Sequence, residues 1–215
     1  MRPYSAVIFD LDGVIVNSEP LHEQSFLDVF AELGYRDNHG IHFPDYYGRS
    51  DRTVWLDFIN RHRPPHELEP LTARKQARFL ELLRASEPLF AGIPELVEQL
   101  AATARLAVAS GSTHDVINAV LSLRNLRRHF PVTVSSTDVV HGKPAPDIFL
   151  RAAALLGVVP TQCIVIEDSA AGIAAAKAAG MRVIGITNSL SAAELHAADS
   201  IVSDYAQIEK LLLSS

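Results

Sequence analysis

Val7-Ile8-Phe9-Asp10-Leu11-Asp12-Gly13-Val14 sets a short apolar run against two acids spaced two residues apart. A few apolar residues ending in an acid read as a buried strand whose C-terminal tip carries the carboxylate, and Gly13 lets the backbone leave that tip sharply. In an open parallel sheet, ligands gather at such tips. Side-chain alternation allows Asp10 and Asp12 to share one side of the strand while Leu11 anchors the other. Two acids so placed can divide labour. One ionised carboxylate can attack or hold a metal, while its neighbour, its pKa raised by the nearby charge, gives and takes a proton. The plainer alternative is an ordinary strand followed by an Asp-Gly turn.

Outward from this stretch, five further β-rich runs follow: Arg105 to Ala109, Val132 to Ser135, Cys163 to Glu167, Arg182 to Thr187 and Ser200 to Val202. Helical patterns separate them, which favours an α/β fold with a parallel sheet. Pro94 to Ala101 has proline near its first helical position, and Thr113 to Leu123 puts Val116, Ile117, Val120 and Leu121 on one face. The Ala-rich segment Ala170 to Ala179, closed by Gly180, suits close packing on a sheet. Ser191-Ala192-Ala193-Glu194 fits a capping box, predicting a late helix.

Residues 16–85 behave differently. Phe26, Val29, Phe30 and Leu33 repeat at helical spacing before Gly34; Val54, Trp55, Phe58 and Ile59 repeat before Pro64-Pro65; Leu68 to Leu83 supplies a third helical stretch. With no strand pattern among them, they predict a helical insert over 16–85 between two parts of an α/β core, 1–15 and 86–215.

Apolar residues make up 48% and charged residues 20% of 215 residues, ample for a globular core, and neither disorder nor a fibre is indicated. The net charge of −6 leaves no electrostatic footprint for nucleic acid. Neither a secretory-signal pattern nor an apolar run of membrane-spanning length is present, and Cys163 is the single cysteine. These features predict a soluble cytoplasmic protein with no membrane partner; the oligomeric state is left open.

Three further patches gain meaning at the same sheet edge. Ser110-Gly111-Ser112 offers hydroxyls and backbone N–H groups suited to phosphate oxygens, or else a turn with a serine cap. Lys143, between Gly142 and Pro144, is a held ammonium able to neutralise a carboxylate and a phosphoryl group together. Glu167-Asp168 ends a buried strand with hard oxygen ligands that suit Mg²⁺, or with acids that complement a helix dipole. Gly142-Lys143 is not a P-loop, since Pro144 stands where Ser or Thr is needed. His62 and His66 flank Pro64-Pro65 and so do not share a helical metal face.

On these ordered patches, Asp10-x-Asp12-Gly13-Val14, Ser110-Gly111-Ser112, Gly-Lys143-Pro-x-Pro-Asp and Glu167-Asp168, the chain resembles the haloacid dehalogenase superfamily, particularly its phosphatases and phosphomutases with a helical cap. The resemblance implies a doubly wound, Rossmann-like core with a four-helix-type cap. It also implies roles: Asp10 attacks phosphorus to form an aspartyl-phosphate, and Asp12 protonates the leaving oxygen and then activates water. Mg²⁺ would be held by Asp10, the Asp12 carbonyl and Asp168, with Glu167 as a ligand or behind the ligands. Ser110, Gly111, Ser112 and Lys143 would hold the phosphoryl oxygens. Carbon–halogen cleavage has no alkoxide to protonate, so Asp12 favours phosphoryl transfer.

The insert chooses between hydrolase and mutase. His22 and Lys75 fall where a β-phosphoglucomutase-like cap has a proton-handling histidine and a substrate-facing lysine. Asp51 stands where that pattern puts a phosphate-binding arginine, with Arg49 and Arg52 as neighbours able to substitute. The expectation is a phosphatase acting on a small phosphorylated metabolite, a sugar or polyol phosphate. A phosphomutase is the first alternative, and a catalytically weak sugar-phosphate-binding regulator the second, though intact Asp10 and Asp12 argue against the latter.

Overall fold

The structure, a computed structural model, describes residues 4–46 and 51–214. The chain divides into two compact units: Met1–Asn17 with Glu87–Ser215, and Ser18–Ser86.

The first unit is built on six strands: β1 (Ala6–Phe9), β2 (Arg105–Ser110), β3 (Val132–Ser135), β4 (Cys163–Glu167), β5 (Arg182–Ile186) and β6 (Ser200–Val202). They form one parallel sheet in the order β3-β2-β1-β4-β5-β6. Continuous apolar runs suit strands covered on both faces, and β1 is wholly buried. One packed cluster on the sheet joins Ala6, Ile8, Val134, Phe149, Val165, Ile173 and Val183. From β1 the chain goes to β2 on one side and later to β4 on the other, so the strand order reverses at β1. That reversal opens a crevice beyond the strand tips, the general ligand position of doubly wound sheets. Register sets Phe9 beside both Val108 and Ile166, so Asp10, the next residue, stands level with the ends of β2 and β4.

The second unit is helical: α1 (Glu19–Glu32), α2 (Asp51–His62) and α3 (Leu68–Ser86), with a short 3-10 turn at Phe43–Tyr46. Phe26, Phe30, Trp55, Phe58 and Leu71 form its core; Trp55 lies edge-on to Phe30 at 5.4 Å, and Phe30 stacks on Phe58 at 4.5 Å. Among the described residues it holds three α-helices, where the family resemblance implies a four-helix type.

The remaining helices flank the sheet: α4 (Ile93–Ala101), α5 (His114–Ser122), α6 (Asp147–Leu156), α7 (Ala170–Ala178) and α8 (Tyr205–Leu213). The late helix predicted from the capping box is absent. Ser191 and Glu194 make only half of the box: Glu194 Oε2 accepts from the amide and the hydroxyl of Ser191, but the Glu194 amide donates to the Ser191 carbonyl rather than to its hydroxyl, and only turns follow. The Asp199 amide donates to Val183 O and its carboxylate accepts from Val183 N–H. The sheet thus claims the chain before a second helical turn can form.

Candidate active site

The apolar run of β1 ends at buried Asp10, whose amide donates to Ile166 O. Leu11–Val16 then coils tightly, with the amides of Val14, Ile15 and Val16 all donating to Leu11 O. Gly13 is required twice over. Its φ is +74°, and a β-carbon there would lie 1.8 Å from Asp168 Oδ2.

Asp10, Glu167 and Asp168 are all buried, and one carboxylate oxygen from each lies within 4.8 Å of the others. Lys143 Nζ approaches Asp10 Oδ1 at 2.8 Å and Glu167 Oε1 at 2.5 Å. The first contact is an ion pair outside hydrogen-bond geometry, which leaves Oδ1 buried without a directed donor. Glu167, by contrast, is fully engaged: Oε2 accepts from the Asp168 and Ser169 amides and the Ser169 hydroxyl, and Oε1 from Lys143. Gly172, in the first turn of α7, makes room for it, since a β-carbon there would stand 1.7 Å from Oε1. Glu167 therefore holds Lys143 while remaining one of the three acids whose oxygens converge.

Burial pushes the Asp10 carboxyl well above the usual range; the Lys143 charge opposes this, and the Glu167, Asp168 and Asp12 charges add to it. Burial likewise pushes Asp168 up to about 6. Burial disfavours the Lys143 charge, but Asp10 and Glu167 overcome it and hold the ammonium protonated. Three buried carboxylates thus share one lysine. The Asp10 Oδ1 without a hydrogen-bond donor, the hard-oxygen donor set and three acids against one lysine fit a divalent cation.

At the tip of β2, Ser110 is buried and its hydroxyl accepts from the Ser112 amide at 3.0 Å. Ser112 donates its hydroxyl to Asp12 Oδ2 at 2.7 Å. Gly111, exposed between them, has nothing within 4 Å of where a β-carbon would stand. The sequence suggested Ser112 as a phosphate ligand; in the structure its hydroxyl is spent on Asp12.

Sequence reasoning missed Ser135 and Ser189. Ser135, at the tip of β3, donates its hydroxyl to Ser112 O at 2.9 Å, while Ser189, just past β5, donates to Asp168 Oδ2. Ser135 sits at a strand tip, so the rule that singled out Asp10 also pointed at it; Ser189 follows its strand by three residues.

In the second unit Lys75 is fully buried. It contacts His22 Nδ1 at 2.6 Å and Asp51 Oδ2 at 2.7 Å, and lies over the Phe26 ring. The His22 ring stacks on Phe79 at 4.0 Å. Arg52 is exposed in the first turn of α2, and Arg49 lies outside the described residues.

A parallel sheet that gathers two aspartates, two further acids and a lysine around its switch point defines an α/β enzyme core with a carboxylate-centred site. The chain belongs to the haloacid dehalogenase-like hydrolase family, whose model matches residues 4–180. It is 35% identical over 185 residues to Hexitol phosphatase B of Escherichia coli, covering 85% of this chain and 83% of that protein. It is 32% identical over 191 residues to Fructose-1-phosphate phosphatase YqaB of the same organism, covering 85% and 96%. Among solved structures, a candidate β-phosphoglucomutase from Thermotoga maritima superposes with a TM-score of 0.83 at 29% identity, covering 97% of this chain and all of that one. Among the described residues, no helix is long and apolar enough to cross a membrane.

Proposed function

We propose that the protein is a Mg²⁺-dependent phosphatase that hydrolyses a sugar or polyol monophosphate through an aspartyl-phosphate on Asp10. The observation that carries this reading is the Lys143 ammonium lying between Asp10 and Glu167, with Asp12 held by Ser112 on the same loop as the nucleophile. Asp10 attacks phosphorus; Asp12 gives its proton to the departing alkoxide and then takes one from the attacking water. Lys143 and the Ser110-Gly111 backbone hold phosphoryl oxygens as charge shifts onto them. Asp10, the Asp12 carbonyl and Asp168 would hold Mg²⁺, which supplies positive charge against the repulsion between a carboxylate nucleophile and an anionic substrate. Glu167 keeps Lys143 in place.

Residues 16–85 serve as the cap in this reading, with His22 and Arg52 recognising the substrate and Lys75 acting through His22, because its own side chain is fully buried. Hydrolysis is favoured over mutase chemistry because Asp51 already neutralises Lys75, leaving that cation unavailable to a second phosphate. Cys163, reduced and buried, fits a cytoplasmic setting.

The test is phosphate release from a panel of sugar, polyol and nucleotide monophosphates, with Mg²⁺ and then with EDTA. The expected result is Mg²⁺-dependent release, fastest on a sugar or polyol phosphate. Conversion of β-glucose 1-phosphate to glucose 6-phosphate without comparable phosphate release, in the presence of a bisphosphate primer, would replace the phosphatase with a mutase.

A further inference from the structure

Within the Leu11–Val16 loop the last four amides are satisfied internally, Gly13 N–H donating to Val16 O and the next three amides to Leu11 O. Three of its carbonyls are held from outside. Ile15 O accepts from the Phe90 amide, while Gly13 O and Val14 O accept from two side chains far away in sequence. Asn188 Nδ2 donates to Gly13 O at 2.7 Å and to Tyr205 Oη at 2.8 Å, and the Tyr205 hydroxyl donates to Val14 O at 2.6 Å. The donor count closes: two amide hydrogens and one phenolic hydrogen serve two carbonyls and one phenol oxygen. Tyr205 is buried, burial raises its phenol pKa above the ordinary value, and the hydroxyl therefore keeps the proton it donates. Its ring also stands 6.0 Å from that of Phe90, whose amide holds the same loop. A glycine at positive φ contributes little stiffness, so these outside bonds decide where the loop sits.

We propose that Asn188 and Tyr205 are positioning residues for leaving-group protonation, a brace on the Gly13–Val14 carbonyls that fixes the backbone from which Asp12 springs while Ser112 fixes the tip of its side chain. This rests on the hydrolase reading, in which Asp12 is the acid. Ser189, next to Asn188, donates to Asp168, so one stretch beyond β5 touches both the Asp12 loop and the Asp168 carboxylate.

The brace has a signature that a merely structural role lacks. An alkyl phosphate needs a proton on its departing oxygen, whereas p-nitrophenyl phosphate leaves as a stabilised phenolate. The ratio kcat/KM reports the steps up to that departure. Tyr205→Phe and Asn188→Ala are expected to lower kcat/KM for the fastest sugar or polyol phosphate of the panel by about tenfold, and for p-nitrophenyl phosphate by less than about threefold. Asp12→Asn, the reference, gives the same split, larger. Equal losses on both substrates, or none, in the two brace variants beside a split in Asp12→Asn would overturn the brace. Equal losses in Asp12→Asn itself would remove the acid assignment and the brace with it. No phosphate release from either substrate by the unmodified protein would sink the hydrolase reading instead. Thermal melts accompany each variant, and Asn188→Ala, at a partly exposed position, keeps the test in hand where Tyr205→Phe folds poorly.

Discussion

In the core unit three buried carboxylates cluster with one ammonium, whereas in the helical unit, among the described residues, Lys75 meets the Asp51 carboxylate and the His22 imidazole. Asp10, Glu167 and Asp168 are buried around Lys143 with negative charge to spare. Lys75 is buried more completely than Lys143, yet Asp51 cancels its charge and keeps about a third of its own side chain in water. Buried charge that is balanced locally can serve structure alone. Buried charge left over is costly to fold and persists where a ligand completes it, which makes the core cluster the stronger mark of chemistry.

The sharpest way to break this contrast is at the nucleophile. Asp10→Asn keeps the shape and removes a charge, so phosphatase turnover is expected to fall by at least about 10⁴-fold while stability is unchanged or raised. Intact-mass measurement after mixing with substrate should find no phosphorylated protein; a covalent intermediate that survives would move the nucleophile elsewhere. The two lysines come next. Lys143→Met strands buried acids and is expected to cost about 3–5 kcal/mol in denaturant unfolding as well as most activity. Lys75→Met lets Asp51 turn to solvent, with an expected cost of about 1–3 kcal/mol. Equal costs at the two sites would erase the distinction.

Gly172 sharpens it further. A helix-interior glycine replaced by alanine usually gains about 1 kcal/mol. Here the new methyl group would collide with Glu167, so Gly172→Ala is expected to lose stability and to lower turnover about tenfold by releasing Lys143. A stabilised, fully active variant would remove Glu167 from its holding role.

These cases also mark how far the sequence could be read. Asp10, Lys143, Glu167 and Asp168 follow an apolar strand or sit in a constrained loop, so local pattern and strand-tip chemistry suffice to single them out. The parallel sheet was legible for the same reason, since strands buried on both faces write continuous apolar runs. Gly172 was lost inside an Ala-rich helix, because its purpose is space for a side chain on the preceding strand. Tyr205 carries no local signal at all: its bond to Val14 O spans 191 positions, and only the assembled sheet brings them together. The missing helix after Ser191 is a similar case, in which a half-formed capping pattern lost to the pairing of Asp199 with Val183. In the helical unit, periodicity fixed the apolar faces, but nothing local paired Asp51 with Lys75 across α2 and α3.

The smallest effect separates the two units by the sign of their response to pH. Asp168 in metal-free protein titrates near 6, above an unfolded carboxylate, because burial disfavours its charge. Its contribution is therefore full at low pH and lost as pH rises through about 6, so the core should gain on the order of 1 kcal/mol between pH 7 and pH 5. His39 in the helical unit runs the other way. Burial, helped by the nearby His62, holds its pKa below the ordinary histidine value, and its ring nitrogen Nδ1 accepts the Ile41 amide. Its contribution is present above the ordinary value and lost as pH falls, so the helical unit should weaken over the same interval. The carboxylates with lowered pKa values, Asp28, Asp138, Glu194, Asp199 and Asp204, lose their contributions only at more acid pH and leave this window clear. Amide exchange at pH 7, 6 and 5 in EDTA should find protection rising in β1 and β4 and falling in α1 and α2. Added Mg²⁺ should cancel the core's gain, since a cation needs the carboxylates ionised. Protection falling together in both units in EDTA would mean that Asp168 is not held protonated by its burial, and the uncancelled charge of the core would lose its physical basis.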